Sequence, residues 1–237
     1  MPSKDLAFAH KGDALTGHLA WDERRREPQP GVLVIHEATG LGAHARQRAD
    51  RLASEFGYVA YAMDLFGETP ADLNAMIGWI QKLLADPDDL RQRLNGALQA
   101  LARLPQVDPT RLAAIGYCFG GTAAVELARD GADLRAVVGF HAGLQGTAAA
   151  TAATVKAKIL ICNGAQDPFV TPEILQAFSR DMTDAGIDWQ MNLYGRARHS
   201  FTNVDAASFG SDAYAYDADA DRRSWADMAA LFDETLA

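Results

Sequence analysis

Three side chains in this sequence have the chemistry of a nucleophile and its helpers. Cys118 lies in the stretch Gly-Tyr-Cys-Phe-Gly, after an apolar run typical of a strand and before a run typical of a helix. The stretch matches the nucleophile elbow GxSxG with sulfur in place of oxygen, in which a tight turn from strand to helix raises the nucleophile above a sheet. Because Gly116 and Gly120 lack side chains, the neighbouring backbone can approach closely. A buried structural cysteine beside glycine is the alternative.

Two candidate partners follow in the order of an α/β-hydrolase triad, which is nucleophile, then acid, then histidine. Asp167 follows a strand candidate that ends at Cys162, and His199 follows the strand candidate 188–194. An aspartate before proline is common in turns and a lone histidine is common in cores. Three suitable residues after three strand candidates nevertheless favour a triad of Cys118, Asp167 and His199 over coincidence.

An acyl-transfer site also needs backbone donors for the negative charge that develops on the substrate oxygen. In this motif one donor is the N–H of the residue after the nucleophile, here Phe119. The second comes from the loop after an inner strand, which we assign to the run 31–37, and Ala38 is our candidate. The sequence therefore predicts an oxyanion hole made by the N–H groups of Phe119 and Ala38.

The elements that must position these residues alternate along the chain. Apolar runs predict strands, and periodic segments ending at glycine predict helices. Such alternation requires an α/β fold with a mostly parallel, doubly wound sheet, helices on both faces and ligands beyond the carboxyl ends of the strands. The order of the triad candidates makes the α/β-hydrolase fold our prediction. The strand candidates are 31–37, 58–65, 111–116, 135–140, 156–162 and 188–194, and the helix candidates are 46–57, 119–130, 173–185, a leucine stripe over 90–104 and the C-terminal segment.

Length and charge restrict the possible partners. No linker divides the 237 residues, so we predict a single domain over 1–237. The formal net charge of −9 argues against nucleic acid or an anionic membrane as a partner. No apolar run is long enough for a signal peptide or a membrane span, which predicts a cytoplasmic protein. The sequence leaves a monomer and a homodimer equally open. Two cysteines make neither a disulfide framework nor a zinc site of the CxxC type, so no metal is expected.

The combined motifs resemble the dienelactone hydrolase family over roughly residues 10–236. They are Val-Ile-His-Glu-Ala-Thr-Gly-Leu-Gly-Ala-His, Gly-Tyr-Cys-Phe-Gly-Gly, Gly-Ala-Gln-Asp-Pro and a histidine followed by Ser200 and Phe201. The resemblance implies hydrolysis of enol-lactones and related small esters through a cysteine acyl-enzyme, without metal or organic cofactor. It also implies that Glu37 contacts or deprotonates the resting thiol, the alternative being a salt-bridged residue at a strand end.

The resemblance implies an arginine shortly after the catalytic histidine, where it would bind the substrate carboxylate. This sequence lacks that arginine. Thr202 and Asn203 occupy that stretch here. Arg198, directly before His199, is a candidate replacement, with a solvated loop arginine as the alternative. Acyl transfer is therefore expected, while an acidic dienelactone is an open question as the substrate.

Other residues are candidates for the substrate pocket. His141 follows the strand candidate 135–140 and would lie near the same sheet edge, although an imidazole bonded to local backbone is the alternative. Tyr117 and Trp79 could supply an apolar wall, and core packing is the alternative for each.

Two alternatives assign the chain to other functional classes. Gly40, Gly42 and Ala45 weakly match a dinucleotide fingerprint, with Asp64 in the ribose-binding position. That hypothesis leaves the triad candidates unexplained. A thiol redox pair of Cys118 with Cys162 is disfavoured because Cys162 lies inside an apolar strand run. A non-catalytic scaffold that retains the elbow is the remaining possibility.

Overall fold

The computed structural model describes residues 2–146 and 151–237. Within these residues the chain forms eight β-strands, six α-helices and one 3₁₀ turn at Ala206–Phe209. The strands are β1 (Ser3–His10), β2 (Asp13–Ala20), β3 (Gln29–Ile35), β4 (Val59–Met63), β5 (Val107–Tyr117), β6 (Ala136–Phe140), β7 (Lys158–Gly164) and β8 (Trp189–Tyr194). The helices are α1 (Ala43–Phe56), α2 (Leu73–Ala85), α3 (Pro87–Ala102), α4 (Phe119–Arg129), α5 (Pro172–Asp184) and α6 (Ala218–Leu236).

The strands form one sheet in the order β1-β2-β4-β3-β5-β6-β7-β8. β1 with β2, and β2 with β4, are antiparallel pairs, whereas β3 with β4, β6 with β7, and β7 with β8 are parallel pairs. Parallel neighbours that are not connected by a hairpin need helical crossovers, and the helices of this chain supply them. The predicted α/β fold with a mostly parallel sheet is confirmed.

Backbone contacts divide the chain into two compact units, Met1–Ile115 and Gly116–Ala237. In the first unit, β3 is buried along nearly its whole length, which explains why its sequence shows an apolar run without alternation. Helix α3 packs against β1 and β3 and buries the predicted leucine stripe, except that Leu104 lies beyond the end of the helix. Helix α1 ends at Gly57, whose φ of 75° is the left-handed cap conformation expected from the sequence.

In the second unit, α4 is buried on every side. Most of its residues are small or apolar, and its buried charges are paired, since Arg129 Nη1 donates to Glu126 Oε1 at 3.1 Å. It packs against β6, and α6 packs against β6 and β7. Helix α6 buries Trp225, Met228, Phe232 and Leu236 of the predicted C-terminal stripe, so the packing interpretation of that segment is correct. No helix among residues 2–146 and 151–237 is long and apolar enough to cross a membrane.

Helix α2 is the element that our prediction did not include. Asp72 caps it by accepting a hydrogen bond from the Ala75 N–H, and Leu83 is its buried residue. Leu73 and Ile77 are exposed on its surface. The apolar residues Leu73, Met76, Ile77, Ile80 and Leu83 recur at helical spacing, so the sequence does carry a stripe here that our prediction overlooked, and the fold buries Leu83 of it.

Two glycines of the first unit test this packing through the same substitution. A Cβ atom on Gly17 of β2 would lie 2.4 Å from the carbonyl oxygen of Ala62 and 2.5 Å from the ring of Tyr61. A Cβ on Gly78 of α2 would have no atom of residues 2–146 and 151–237 within 4 Å, apart from its chain neighbours and the backbone of its own helix. We expect Gly17→Ala to lower the free energy of unfolding by about 2 kcal/mol or more. Gly78→Ala should raise it by about 0.5 to 1 kcal/mol. Urea denaturation measures both, and equal stabilities would contradict the packing.

Candidate active site

Cys118 occupies a strained turn between β5 and α4. Its φ of 56° and ψ of −121° are unusual for a residue with a side chain, and such strain is characteristic of a nucleophile elbow. The turn is held from both sides, since the Cys118 N–H donates to the Phe140 carbonyl at 3.0 Å and the Cys118 carbonyl accepts from Gly121 at 3.0 Å. A Cβ on Gly116 would lie 1.9 Å from the Gly120 carbonyl oxygen. The glycine before Cys118 is therefore a steric requirement.

His199 and Asp167 form a direct, buried pair. His199 Nδ1 lies 2.7 Å from Asp167 Oδ2, and the two residues are 4% and 5% exposed. The other carboxylate oxygen, Oδ1, accepts from the Phe169 N–H at 2.9 Å, which fixes the orientation of the carboxylate. Because an ionised carboxylate only accepts, Nδ1 carries the proton and Nε2 is the nitrogen left for another partner.

Cys118 is a second side-chain hydrogen-bond partner of His199. Burial of the ring opposes its charged form. The interactions with Cys118 and with the Asp167 carboxylate outweigh burial and raise the pKa of His199 to about 10. The surroundings of His199 therefore favour its protonated form.

The loop that carries His199 is fixed by the chain that follows it. The His199 N–H donates to the Ala213 carbonyl, and the Ala215 N–H donates to the His199 carbonyl, both at 3.1 Å. Phe169 and Tyr214 meet the imidazole ring edge-on, with ring centroids at 5.1 and 5.6 Å. Sequence reasoning missed both aromatic residues. Phe169 lies two residues after Asp167, but no pattern marks Tyr214.

The two predicted oxyanion donors lie at the ends of their elements. Phe119 begins α4, so its N–H belongs to the first helical turn, at the positive end of the helix dipole. Ala38 lies in the first unit, in the turn that the Gly40 N–H closes onto the Glu37 carbonyl at 3.1 Å. Phe119 is 5% exposed. The sequence expectation for both N–H groups stays a prediction.

Glu37 is buried and lies two residues beyond the end of β3, which stops at Ile35, rather than within a strand 31–37 as the sequence suggested. Its Oε2 atom is 3.5 Å from Nδ1 of His44. The strand ends early because the chain turns at Ala38 and Thr39. A role for Glu37 toward the thiol stays a prediction.

The candidate pocket residues of the second unit make ring contacts or hydrogen bonds with other parts of the protein. Tyr117 is fully buried and stacks on Phe140 with ring centroids 4.9 Å apart, which corresponds to the packing alternative. His141 is also fully buried, with Nδ1 accepting from the Cys118 N–H at 3.1 Å and Nε2 lying 2.9 Å from Thr202 Oγ1. Arg198 donates through Nη1 to the Asp212 carbonyl at 2.7 Å.

Trp79 belongs to α2 in the first unit. Its Nε1 donates to Glu68 Oε1 at 2.8 Å, and its ring stacks on Phe66 with centroids 5.2 Å apart. The Lys82 ammonium lies 4.2 Å from the ring centroid. The ring is half-buried, and a pocket role for it stays a prediction.

Asp64 and Cys162, which suggested the alternative functions, make their contacts within the fold. Asp64 Oδ1 accepts from the N–H groups of Phe66 and Gly67, so this carboxylate shapes its own loop. Cys162 is fully buried, and burial raises the pKa of its thiol to about 12, which disfavours a redox role. In the described ranges 2–146 and 151–237, no group of three or more His, Cys, Asp or Glu side chains is arranged to hold a metal ion.

Comparisons with known proteins agree on one family. A model of the dienelactone hydrolase family matches residues 15–236. The chain is similar over its whole length to two solved structures, each 40% identical and 99% covered: m3DLH, with a TM-score of 0.96, and P91, a dienelactone hydrolase-like promiscuous phosphotriesterase from metagenomic libraries, with a TM-score of 0.95. A Bradyrhizobium protein named "Probable 2-oxo-3-(5-oxofuran-2-ylidene)propanoate lactonase" is 28% identical over 183 residues, which cover 73% of each chain.

The steric requirement at the elbow leads to a prediction. In Gly116→Ala the new Cβ would overlap the Gly120 carbonyl, so the turn must open and displace Cys118. We expect esterase turnover to fall by about 100-fold or more. Gly195→Ala is the matched control, because among the described residues beyond its two chain neighbours no atom lies within 4 Å of a Cβ there. Turnover of an activated aryl ester, normalised to folded protein, measures the effect. An active Gly116→Ala variant would contradict this account of the elbow.

A second prediction concerns the charge of His199. In the wild-type protein the ring should stay protonated through the neutral range and lose its proton at about pH 10. Cys118→Ala removes the thiolate charge and one hydrogen bond, so the pKa of His199 should fall and the ring should become neutral at lower pH. NMR titration of the His199 ring measures both midpoints. Equal midpoints would show that Cys118 does not set the charge of the ring.

Proposed function

The chain belongs to the dienelactone hydrolase family and is a carboxylic ester hydrolase, and from that premise we propose that it cleaves a lactone or small ester through Cys118, His199 and Asp167. The observation that supports this proposal most directly is the shared hydrogen bonding of His199, with Asp167 at Nδ1 and Cys118 as its other side-chain partner. A nucleophile, a base and an orienting carboxylate in one chain of contacts are the parts that covalent acyl transfer requires.

The reaction would begin from the thiolate and imidazolium pair. Cys118 Sγ attacks the acyl carbon, and the carbonyl electron pair moves onto oxygen. We assign the resulting oxyanion to the N–H groups of Phe119 and Ala38. When the tetrahedral species collapses, the C–O bond to the leaving group breaks and His199 Nε2 gives its proton to the departing enolate or alkoxide. A thioester on Cys118 and a neutral His199 result.

Hydrolysis of the thioester would reverse the roles of His199. The neutral Nε2 atom takes a proton from water as the water oxygen attacks the thioester carbon. Collapse of this second tetrahedral species breaks the C–S bond, releases the carboxylic acid and restores the Cys118 thiolate beside the His199 imidazolium. Asp167 accepts the hydrogen bond from Nδ1–H throughout, so the ring keeps one orientation through both half-reactions.

The surroundings of His199 favour a substrate without a carboxylate. Thr202 and Asn203, which stand where the family resemblance implies a carboxylate-binding arginine, are buried and neutral. Arg198 is bonded to the Asp212 carbonyl, and the half-exposed ring of Phe169 lies against His199. We therefore propose a neutral lactone or ester with an apolar group as the preferred substrate class. The Bradyrhizobium lactonase supports the lactone part of this assignment.

A neutral phosphotriester is a second candidate substrate. The similarity to P91 over the full chain favours this activity. The same thiolate could attack phosphorus, release an aryloxide that takes the His199 proton, and leave an S-phosphorylated cysteine for water to hydrolyse. Because Arg198 donates to the Asp212 carbonyl and Thr202 and Asn203 are neutral, an uncharged phosphotriester suits the site better than an anionic diester.

Replacing each of the two cysteines in turn tests the proposal. Cys118→Ala should reduce turnover of p-nitrophenyl butyrate at least about 1000-fold, because both half-reactions need the thiolate. Cys162→Ala, which removes the buried thiol, should keep most of the activity. Intact-mass analysis of the acylated wild-type protein should locate the adduct on Cys118. The same variants assayed with paraoxon test the phosphotriester activity.

A Cys118→Ala variant that hydrolyses the ester at the wild-type rate would refute the triad. Loss of activity in both variants, with both proteins folded, would instead mean that ester turnover does not report on Cys118 alone.

A further inference from the structure

His141 connects the two loops that carry the nucleophile and the histidine. Its Nδ1 atom lies 3.1 Å from the backbone nitrogen of Cys118, and its Nε2 atom lies 2.9 Å from the hydroxyl of Thr202. Thr202 is three residues after His199, in the same loop. The ring of His141 also meets the His199 ring edge-on at 5.3 Å.

These contacts determine the tautomer of His141. A backbone N–H can only donate, so Nδ1 of His141 accepts from Cys118 and carries no proton. The ring is then neutral, with its proton on Nε2, where it donates to Thr202 Oγ1. The Cys118 N–H therefore has two acceptors, Nδ1 of His141 and the Phe140 carbonyl oxygen.

The position of the His141 ring is itself fixed by the fold. Its φ of 39° is left-handed, and its backbone N–H donates to the Cys162 carbonyl at 2.8 Å. The residue after His141, Ala142, is held by the side-chain amide of Asn163. The Ala142 N–H donates to Asn163 Oδ1 at 2.9 Å, and the Ala142 carbonyl accepts from Asn163 Nδ2 at 3.0 Å. Asn163 and His141 are both fully buried.

We propose that His141 is a positioning residue which sets the separation between Cys118 and His199 by bonding the elbow backbone at Nδ1 and the Thr202 hydroxyl at Nε2. The inference rests on the proposed function, since it concerns the geometry of that triad. A neutral imidazole suits this role because it spans the two loops rigidly while adding no charge beside the ion pair. An error of about 1 Å in the placement of reacting groups can reduce a rate about 100-fold.

Variants at both ends of the Nε2 contact test the proposal. His141→Asn keeps an acceptor for the Cys118 N–H, suits a left-handed backbone and loses the reach to Thr202. Thr202→Val removes the hydroxyl at nearly constant volume, and Thr202→Ser is the matched control that retains it. We expect each of His141→Asn and Thr202→Val to lower kcat about tenfold with little change in KM. Thr202→Ser should stay within about twofold of wild type.

The double variant gives the sharper result. Both substitutions cut the same contact, so kcat of the His141→Asn, Thr202→Val protein should match the slower single variant instead of falling about 100-fold. A kcat of the double variant that falls by the product of the two single losses would overturn the positioning role. Single variants that match the wild-type kcat would also overturn it. Activities are normalised to folded protein, so a loss of stability alone does not reproduce the expected pattern.

A measurement without substrate separates this inference from the proposed function. Nitrogen-15 NMR of the His141 ring should show one bare nitrogen and one protonated nitrogen, and Thr202→Val should shift the protonated one. A charged ring, or a proton on Nδ1, would overturn the inference whatever the activity. An active Cys118→Ala variant would refute the triad itself. If Cys118→Ala is inactive but His141→Asn and Thr202→Val turn over at the wild-type rate, the His141 role alone is refuted.

Discussion

A Cβ atom on Gly116 would lie 1.9 Å from the Gly120 carbonyl oxygen. Strand β5 and helix α4 can therefore meet around Cys118 only because residue 116 has no side chain. This close approach forces Cys118 into a left-handed φ, a conformation that a residue with a side chain adopts only when its surroundings compel it. The same turn places Cys118 directly before the first residue of α4. The backbone conformation of Cys118 and its position at the helix start thus have one origin.

The charge of His199 depends on its neighbours in a corresponding way. A ring that is 4% exposed would by burial alone be neutral at physiological pH, yet Cys118 and Asp167 raise its pKa to about 10. The favourable interactions come from two loops after two different strands, and neither loop contains a complete site. A buried imidazolium is therefore stable only when β7, β8 and the elbow are all folded, which couples the chemistry to the integrity of the sheet.

The sequence predicted the parts of this site that depend on local pattern. Glycine spacing marks the elbow, and apolar runs mark the strands that Asp167 and His199 follow, so the triad candidates could be chosen before any coordinates. The pairing of Thr202 with His141, 61 residues apart, leaves no local pattern because it depends on the order of strands in the sheet. Tyr214 reaches His199 through a later loop for the same reason. Helix α2 was missed although Leu73, Ile77, Ile80 and Leu83 recur at helical spacing, and in the fold Leu73 and Ile77 of this stripe are exposed.

The two cysteines illustrate why residue type alone does not decide chemistry. Cys162 lies in β7 with the hydroxyl of Tyr194 at 3.5 Å, fully buried, and burial raises the pKa of its thiol to about 12. Cys118 is half-buried, sits at a helix start and has a cationic imidazole as its side-chain partner. Both follow apolar strand-like sequence, yet only Cys118 follows the end of its strand, where a turn can expose a side chain. Reactivity in this fold therefore follows from the position of a residue relative to the carboxyl end of its strand.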